Sequence, residues 1–276
     1  DKGGLVDDII VYCLERNKDY LVCVNASNTQ ADFEWMSAHN KGATIVNESS
    51  RWAQIAIQGP KAWSLMGDVL GIQKIPPFTL TKGKYSGNHH GYEIIFASTG
   101  YTGETGGEVF IEAAGAVQLW NQLMQLGQKY QVMPIGLGAR DTLRLEMKYS
   151  LYGHEINDTS NPYEAGLGWV IKPDAKEFLA KDLLLSGIKN GYSRKLIGFK
   201  LVDKGIPRQD MEVYSPQGEK IGKVTSGTLS PSLNTPIGMA YVGTPWSQIG
   251  SEILIDIRGR KAKALVIKTP FVNQGA

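Results

Sequence analysis

Cysteine is scarce in this sequence. Its 276 residues hold two, Cys13 and Cys23, too few for the cross-linked scaffold that small secreted domains use in place of a large core. Both fall in what read as neighbouring strands, so one cross-strand bond is geometrically open; two free thiols in a reducing compartment is the simpler reading. Histidine is scarce as well. His39, His89, His90 and His154 are scattered, without the HExxH spacing that seats two ring nitrogens on one helix face, so no metal is expected. No apolar run approaches the ~20 residues that cross a bilayer, and no signal-peptide pattern occurs, which argues against a membrane partner. Net charge is only +2, with no Lys/Arg-rich run and no aromatic–basic interleaving, so a nucleic-acid partner is not expected. Gly-x-Ser-x-Gly is missing, neither cysteine falls at a helix start, and no glycine loop ends in GK[ST]; the common hydrolase and phosphate-cradling chemistries lose their supports. The chain also opens without Met, directly in the strand-like DKGGLVDDII. A natural start upstream is therefore expected, carrying neighbours of the first strand.

What is present is globular: 42% apolar and 20% charged residues fit a folded chain, and the length allows up to three domains. Residues 5–14 and 20–25 read as a strand pair, residues 28–39 as a helix capped by Asn28, and residues 43–47 and 52–58 as strands again. Residues 58–71 form a short amphipathic helix with Pro60 near its start and Gly71 past its end. Three β segments follow between residues 78 and 114. Leu119, Leu123, Met124 and Leu126 recur at helical spacing within residues 115–131, and IGLGARDTLRLEMKY continues as a second helix. After an irregular stretch (149–171) and a helical connection at KEFLAKDLLLSG, everything past about residue 192 is short strands and turns. The expected class is α+β with antiparallel sheets and a C-terminal all-β barrel or jelly-roll. The expected domains are 1–50 (a partial α/β domain), 51–185 (α+β) and 186–276 (β-barrel).

Three stretches carry functional groups. In extended backbone Leu5, Asp7, Ile9 and Val11 share one face, and Val6, Asp8, Ile10 and Tyr12 the other. Both faces are otherwise apolar, so the stretch reads as a strand covered on both sides, with at least one acid poorly solvated; the residues alone do not choose which. STGYTGETGGE (98–108) reads most simply as a hairpin connection, yet it sets Tyr101, Glu104 and Glu108 on a glycine-shaped loop of the kind that builds small-molecule sites. In ARDTLRLE, Arg140 falls in a first helical turn, where the helix dipole favours acids; a carboxylate partner, in the protein or on a ligand, is expected for it. Tyr163 and Trp169 of NPYEAGLGWVI read as core aromatics.

Taken in order, GGLVDDIIVY, VNASN, AIQGP, TGYTGETGGE, GLGARDTLRLE, LYGHEI, NPYEAGLGWV and GKVTSGTLSPSL resemble the T-protein family of the glycine cleavage system, the tetrahydrofolate-dependent aminomethyltransferases. The resemblance covers nearly the whole chain. It implies a multi-domain folate-binding fold around a central folate hole, with residues 51–185 as the folate-binding domain. It implies transfer of a one-carbon unit from the aminomethyl-lipoyl arm of H-protein to tetrahydrofolate, with release of ammonia. The partners would be lipoylated H-protein and small-molecule folate; the compartment would be the cytoplasm of a bacterium or the mitochondrial matrix of a eukaryote. The second acid of the family's GG-x-x-DD is its catalytic carboxylate, which falls on Asp8. The folate-contacting residues fall on Tyr101, Glu108 and Arg140, with Tyr12 and Tyr152 as neighbours. Two departures stand out. The family's segment before GG-x-x-DD, with an aromatic that packs on folate, is not in this sequence, and the tail ends PFVNQGA without a terminal basic or aromatic residue. A sibling folate-dependent demethylase, and a non-catalytic folate-binding or truncated paralogue, are the alternatives; the assembly-protein branch is marked by K-G-C-Y-x-G-Q-E, which does not occur here.

Overall fold

The structure, a computed structural model, describes residues 3–86, 91–174 and 177–273. The strand expected over residues 5–14 becomes regular only at Ile10. There β1 (Ile10–Glu15) pairs with β2 (Asp19–Cys23) in a two-stranded sheet. Val6, Ile9, Ile10 and Val11 stay exposed, which corrects the expectation of a strand covered on both faces. Among the described residues the ribbon has only two strands, and of β1 only Tyr12 is buried. Both cysteines are free.

The chain forms two compact units. One comprises Val11–Val22 and Thr29–Arg140. It contains α1 (Thr29–Ala38), which follows a 3-10 turn over Ala26–Asn28, and a four-stranded antiparallel sheet. The strands are β3 (Trp52–Gln58), β4 (Leu80–Ser86), β5 (Gly91–Ala97) and β6 (Gly106–Glu112), in the order β3-β6-β5-β4. Helices α2 (Ala62–Leu70) and α3 (Ala116–Leu126) supply Leu65, Met66, Leu119 and Leu123 to a core that includes Phe96, Val109 and Ile111 of the sheet. Each such side chain contributes about 1.5–3 kcal/mol by leaving water. Gly71 ends α2 in the left-handed conformation, φ 66°, as its position in the sequence suggests. Residues 43–47 are not a strand: they have no pairing partner among the described residues, and Val46 is exposed. The inner strand β6 is buried from Gly106 through Ile111, so Glu108 sits where a carboxylate must be hydrogen-bonded.

The other unit comprises Asp1–Ile10, Cys23–Asn28 and Asp141–Ala276. It holds most of α4 (Leu137–Glu146), then α5 (Lys181–Asn190) and a closed antiparallel barrel. The barrel strands are β7 (Arg194–Leu201), β8 (Glu212–Tyr214), β9 (Lys220–Ser230), β10 (Thr235–Gly243), β11 (Glu252–Ile257) and β12 (Arg260–Ile267). They run β10-β7-β12-β11-β8-β9 around the barrel, with β9 pairing back to β10. Closure removes the free edges that an open sheet would leave. Phe199, Val224, Ile253 and Ile255 fill the inside, with Ala240, Ala262 and Ala264 between them. A bulge lets Thr225 stand as an extra residue, since Val224 faces Ala240 and Ser226 faces Met239. Trp169 corrects a second expectation. It lies in a short 3-10 turn, Gly168–Val170, and is 74% exposed, because a single turn with no packed face leaves a large ring in solvent. Tyr163 stacks on Tyr192 at 5.8 Å.

Candidate active site

Asp8 lies two positions before β1 on an irregular segment anchored to the loop at residues 157–160. Leu5 N–H donates to the carbonyls of Asn157 (3.0 Å) and Ser160 (3.1 Å). Gly4 has no room for a side chain: a Cβ there would come within 1.8 Å of the Asp158 carbonyl oxygen. The two acids behave differently. Asp7 Oδ1 accepts from the Asp8 N–H (2.9 Å) and the Asn25 carboxamide (2.7 Å), and its Oδ2 from the Asn25 N–H (3.2 Å). Asp8 Oδ1 accepts from the Asn25 carboxamide (2.9 Å), while Oδ2 accepts from no other described residue. Asp7 is thus held at both oxygens and Asp8 at one.

The Asp8 carboxyl is pushed up from 3.8 to about 6. Desolvation is the largest cause; the Asn25 hydrogen bond opposes it, the Asp7 charge adds to it, and a backbone hydrogen bond within Asp8 and the Arg144 charge oppose it. By surface area the residue as a whole is exposed, so area and depth disagree. A carboxyl can keep one edge open to water and still lose most of its hydration to the protein around it, and the upward direction follows from that loss. A group near 6 is mostly ionised at neutral pH yet poorly solvated, the state suited to stabilising a nearby cation.

In the other unit Tyr12, Thr99, Glu108 and Gln54 form one hydrogen-bonded chain. Gln54 Nε2 donates to Glu108 Oε1 (2.7 Å), and Thr99 O–H donates to Glu108 Oε2 (2.6 Å). A hydroxyl has one proton, so the Tyr12 O–H donates to Thr99 Oγ1 (2.9 Å). The Tyr12 ring is itself buried and packs edge-on against Phe110 at 5.5 Å. The glycine-rich stretch 98–108 connects β5 to β6. Thr102 Oγ1 donates to Gln58 Oε1 (2.6 Å), and Gln58 Nε2 donates to the Thr99 carbonyl (3.1 Å). Gly106 sits at φ 138°, and a Cβ would lie 2.2 Å from the Ile57 carbonyl oxygen. The loop is therefore packed from beneath and presents Tyr101.

Arg140 stacks on the Tyr101 ring, with the guanidinium carbon 4.8 Å from its centroid. It is exposed and makes no ion pair among the described residues, which corrects the expectation of a carboxylate partner within the protein. The ion pairs of ARDTLRLE belong to Arg144, which is fully buried. Arg144 Nη1 donates to Glu155 Oε2 (2.6 Å) and the Tyr149 carbonyl (3.0 Å), Nη2 to Ser226 Oγ (2.8 Å), and Nε to Asp141 Oδ1 (2.8 Å). Tyr152 lies half-buried in the LYGHEI loop, its backbone bridged to Ile156. Asn25, Thr99 and Gln54 carry no role in the reading of the sequence. A geometric signal for Asn25 does exist. Lys18 N–H to Glu15 C=O closes the β1–β2 turn at 3.0 Å, and Asp8 and Asn25 lie equally far outward from that pair. Among the described residues no group of three or more His, Cys, Asp or Glu could hold a metal ion.

Each unit carries its own polar cluster: an aspartate pair bridged by Asn25 on one, and a buried glutamate network on the other. Helices, antiparallel sheets and a closed C-terminal barrel define an α+β protein of two compact units. Comparison with known proteins makes it particular. The family model described as "GCVT N-terminal domain" matches residues 1–175, and that described as "Glycine cleavage T-protein C-terminal barrel domain" matches residues 194–273. The chain is 57% identical over 276 residues to the aminomethyltransferase of Bdellovibrio bacteriovorus, covering 99% of this chain and 76% of that protein. It is 44% identical over 281 residues to that of Bacteroides thetaiotaomicron, covering 98% and 75%. The crystal structure of glycine cleavage system aminomethyltransferase T from Bartonella henselae superposes with a TM-score of 0.85 at 28% identity, over 99% of this chain and 74% of that one. The chain belongs to the glycine cleavage T-protein family of aminomethyltransferases.

Proposed function

We propose that this aminomethyltransferase moves a one-carbon unit from the aminomethyl group on the lipoyl arm of H-protein to tetrahydrofolate, with Asp8 as the catalytic carboxylate. The observation that carries the reading is the state of Asp8: one oxygen engaged by Asn25, the other open, and the carboxyl raised to about 6. In the transfer, the carbon–nitrogen bond of the aminomethyl group breaks and ammonia leaves. Two new carbon–nitrogen bonds form to the acceptor, and the carbon–sulfur bond breaks to return the lipoyl thiol. The two protons lost by the acceptor nitrogens go to the ammonia and to the sulfur. The carbon passes through cationic, iminium-like character, and a carboxylate held by Asn25 and poorly solvated stabilises that charge with little solvent reorganisation.

For the acceptor, Glu108 suits the donor edge of a pterin. Each of its oxygens has a second lone pair beyond those used by Gln54 and Thr99, so it accepts further hydrogen bonds while its rotamer stays fixed. Arg140, stacked on Tyr101, is a planar donor for a carbonyl or carboxylate of the same ligand. Tyr12 acts through Thr99 on Glu108, and the family resemblance adds Tyr152 as a folate contact. Bacterial relatives support a cytoplasmic setting; no helix among the described residues is long and apolar enough to cross a membrane. The test is Asp8→Asn, assayed with aminomethylated H-protein and tetrahydrofolate. Turnover is expected to fall by at least about 10²-fold with the fold intact by circular dichroism. Unchanged turnover removes the role given to Asp8, and calorimetry showing no tetrahydrofolate binding removes the acceptor.

A further inference from the structure

We propose that Asn25 is a positioning residue for the transfer: its carboxamide bridges Asp7 and Asp8 and holds Asp8 with Oδ1 engaged and Oδ2 open. The inference rests on the reading of Asp8 as the catalytic carboxylate. A carboxamide nitrogen carries two protons. Those of Asn25 reach Asp7 Oδ1 at 2.7 Å and Asp8 Oδ1 at 2.9 Å, and the backbone N–H of the same residue reaches Asp7 Oδ2 at 3.2 Å. Asp7 is thereby tied to Asn25 through both oxygens and serves as the fixed side of the clamp. Asp8 is pinned through one. A serine would supply one proton for two carboxylates. A lysine would bring a full counter-charge, quenching the negative potential that a cationic carbon needs. The neutral bridge relieves the repulsion between adjacent carboxylates and leaves their charge in place.

The position follows from the chain. Asp8 and Asn25 leave opposite ends of the β1–β2 hairpin at equal distance from its closing turn, so antiparallel pairing delivers the carboxamide to the acids. The charged groups acting on the Asp8 carboxyl are Asp7, which pushes it up, and Arg144, which pulls it down. Removing the Asn25 donor leaves burial and Asp7 opposed only by the backbone hydrogen bond of Asp8 itself and by Arg144, so the carboxyl moves further up. Removing the Asp7 charge moves it down. A residue that merely supports the fold would do neither.

The experiment compares Asn25→Ala, Asn25→Asp, Asp7→Asn and Asp8→Asn in the full chain. It reads the pH profile of kcat/KM with aminomethylated H-protein and tetrahydrofolate, and the titration of 13C-labelled aspartate carboxyls by NMR. For Asn25→Ala, kcat is expected to fall about 10²-fold through misplacement of Asp8, with KM for tetrahydrofolate changed less than about threefold. The acid limb and the Asp8 resonance are both expected to move to higher pH, by roughly a factor of ten in proton concentration. Asn25→Asp, nearly isosteric, moves both the same way should the alanine variant fail to fold, and Asp7→Asn moves both to lower pH. A folded Asn25 variant whose Asp8 titration and acid limb stay in place overturns the proposal. Turnover that survives in Asp8→Asn overturns instead the catalytic reading of Asp8, and the NMR titration still decides whether Asn25 holds its carboxyl.

Discussion

Glu155→Ala tests how the barrel unit is held to α4. Arg144 is fully buried, and its counter-charges are unequal: Glu155 is also fully buried, whereas the Asp141 side chain is 47% exposed. Removing Glu155 leaves a buried guanidinium balanced only by a half-hydrated acid, which costs about 3–5 kcal/mol. Leu151 N–H (3.0 Å) loses its acceptor as well. Thr225 O–H, now 2.7 Å from Glu155 Oε1, retains the Met239 carbonyl at 3.2 Å, so its loss adds little. The net expectation is about 4 kcal/mol, against a global stability of roughly 5–15 kcal/mol for a protein of ordinary stability. With a guanidinium m-value near 4 kcal/mol/M, the unfolding midpoint falls by about 1 M. Denaturant titration followed by far-ultraviolet circular dichroism and tryptophan fluorescence reads this. The pair itself is not expected to be strongly stabilising, because both ions are desolvated. Arg144→Met combined with Glu155→Leu should therefore recover to within about 1 kcal/mol of the parent. A Glu155→Ala protein within about 1 kcal/mol of the parent, or a double variant less stable than the single, refutes the reasoning.

Below about pH 6 kcat/KM should decline as the Asp8 carboxyl takes up its proton, measured as a pH profile; a limb near 4 would contradict the raised carboxyl. The sign for stability is opposite to that of a salt-bridged acid. The folded state holds the proton more tightly than the unfolded one, so this group's contribution declines as pH rises from 3.8 towards 6, and Asp8→Asn should raise Tm at pH 8 but not at pH 3.5. Thr99→Val keeps the shape but cuts the chain from Tyr12 to Glu108; thermal unfolding should show a loss of about 1–3 kcal/mol from the stranded buried groups, and calorimetry a weaker affinity for tetrahydrofolate. Arg140→Ala should leave Tm nearly unchanged while weakening tetrahydrofolate binding about tenfold or more, and Arg140→Lys should not restore it, since a point charge lacks the planar donor fork.

Much of the architecture was legible because it is written in local periodicity. The strand at residues 52–58, the stop of α2 at Gly71, the helix through Leu119 and Leu123 and the all-β C-terminal part need only alternation, helical spacing and turn residues. Where local pattern misled, pairing or packing decided. Residues 43–47 have strand character and no partner among the described residues, Trp169 has an aromatic's preference for burial and no face to bury against, and residues 5–9 alternate properly but lie beyond the ribbon. The sites divide the same way. Alternation alone reduced the problem to two acids, and resemblance named Asp8. The reason the two differ, that Asn25 and backbone N–H groups hold Asp7 at both oxygens, lies eighteen positions down the chain from Asp7.

By itself the sequence determined the class, the order of elements, and the residue types that carry chemistry, because composition, periodicity and ordered motifs are one-dimensional properties. Which partners those residues meet is a property of the tertiary structure. It sends Arg144 and Glu146 of ARDTLRLE to the hydroxyls of GKVTSGTLSPSL: Ser226 receives the guanidinium, and Ser230 and Ser232 bond Glu146. It leaves Arg140, four positions earlier, stacked on Tyr101 with no acid partner among the described residues. Two arginines in one motif thus have opposite fates. The reason is burial: an arginine removed from water must be fully paired to be tolerated, whereas one left at the surface keeps its donors for another molecule.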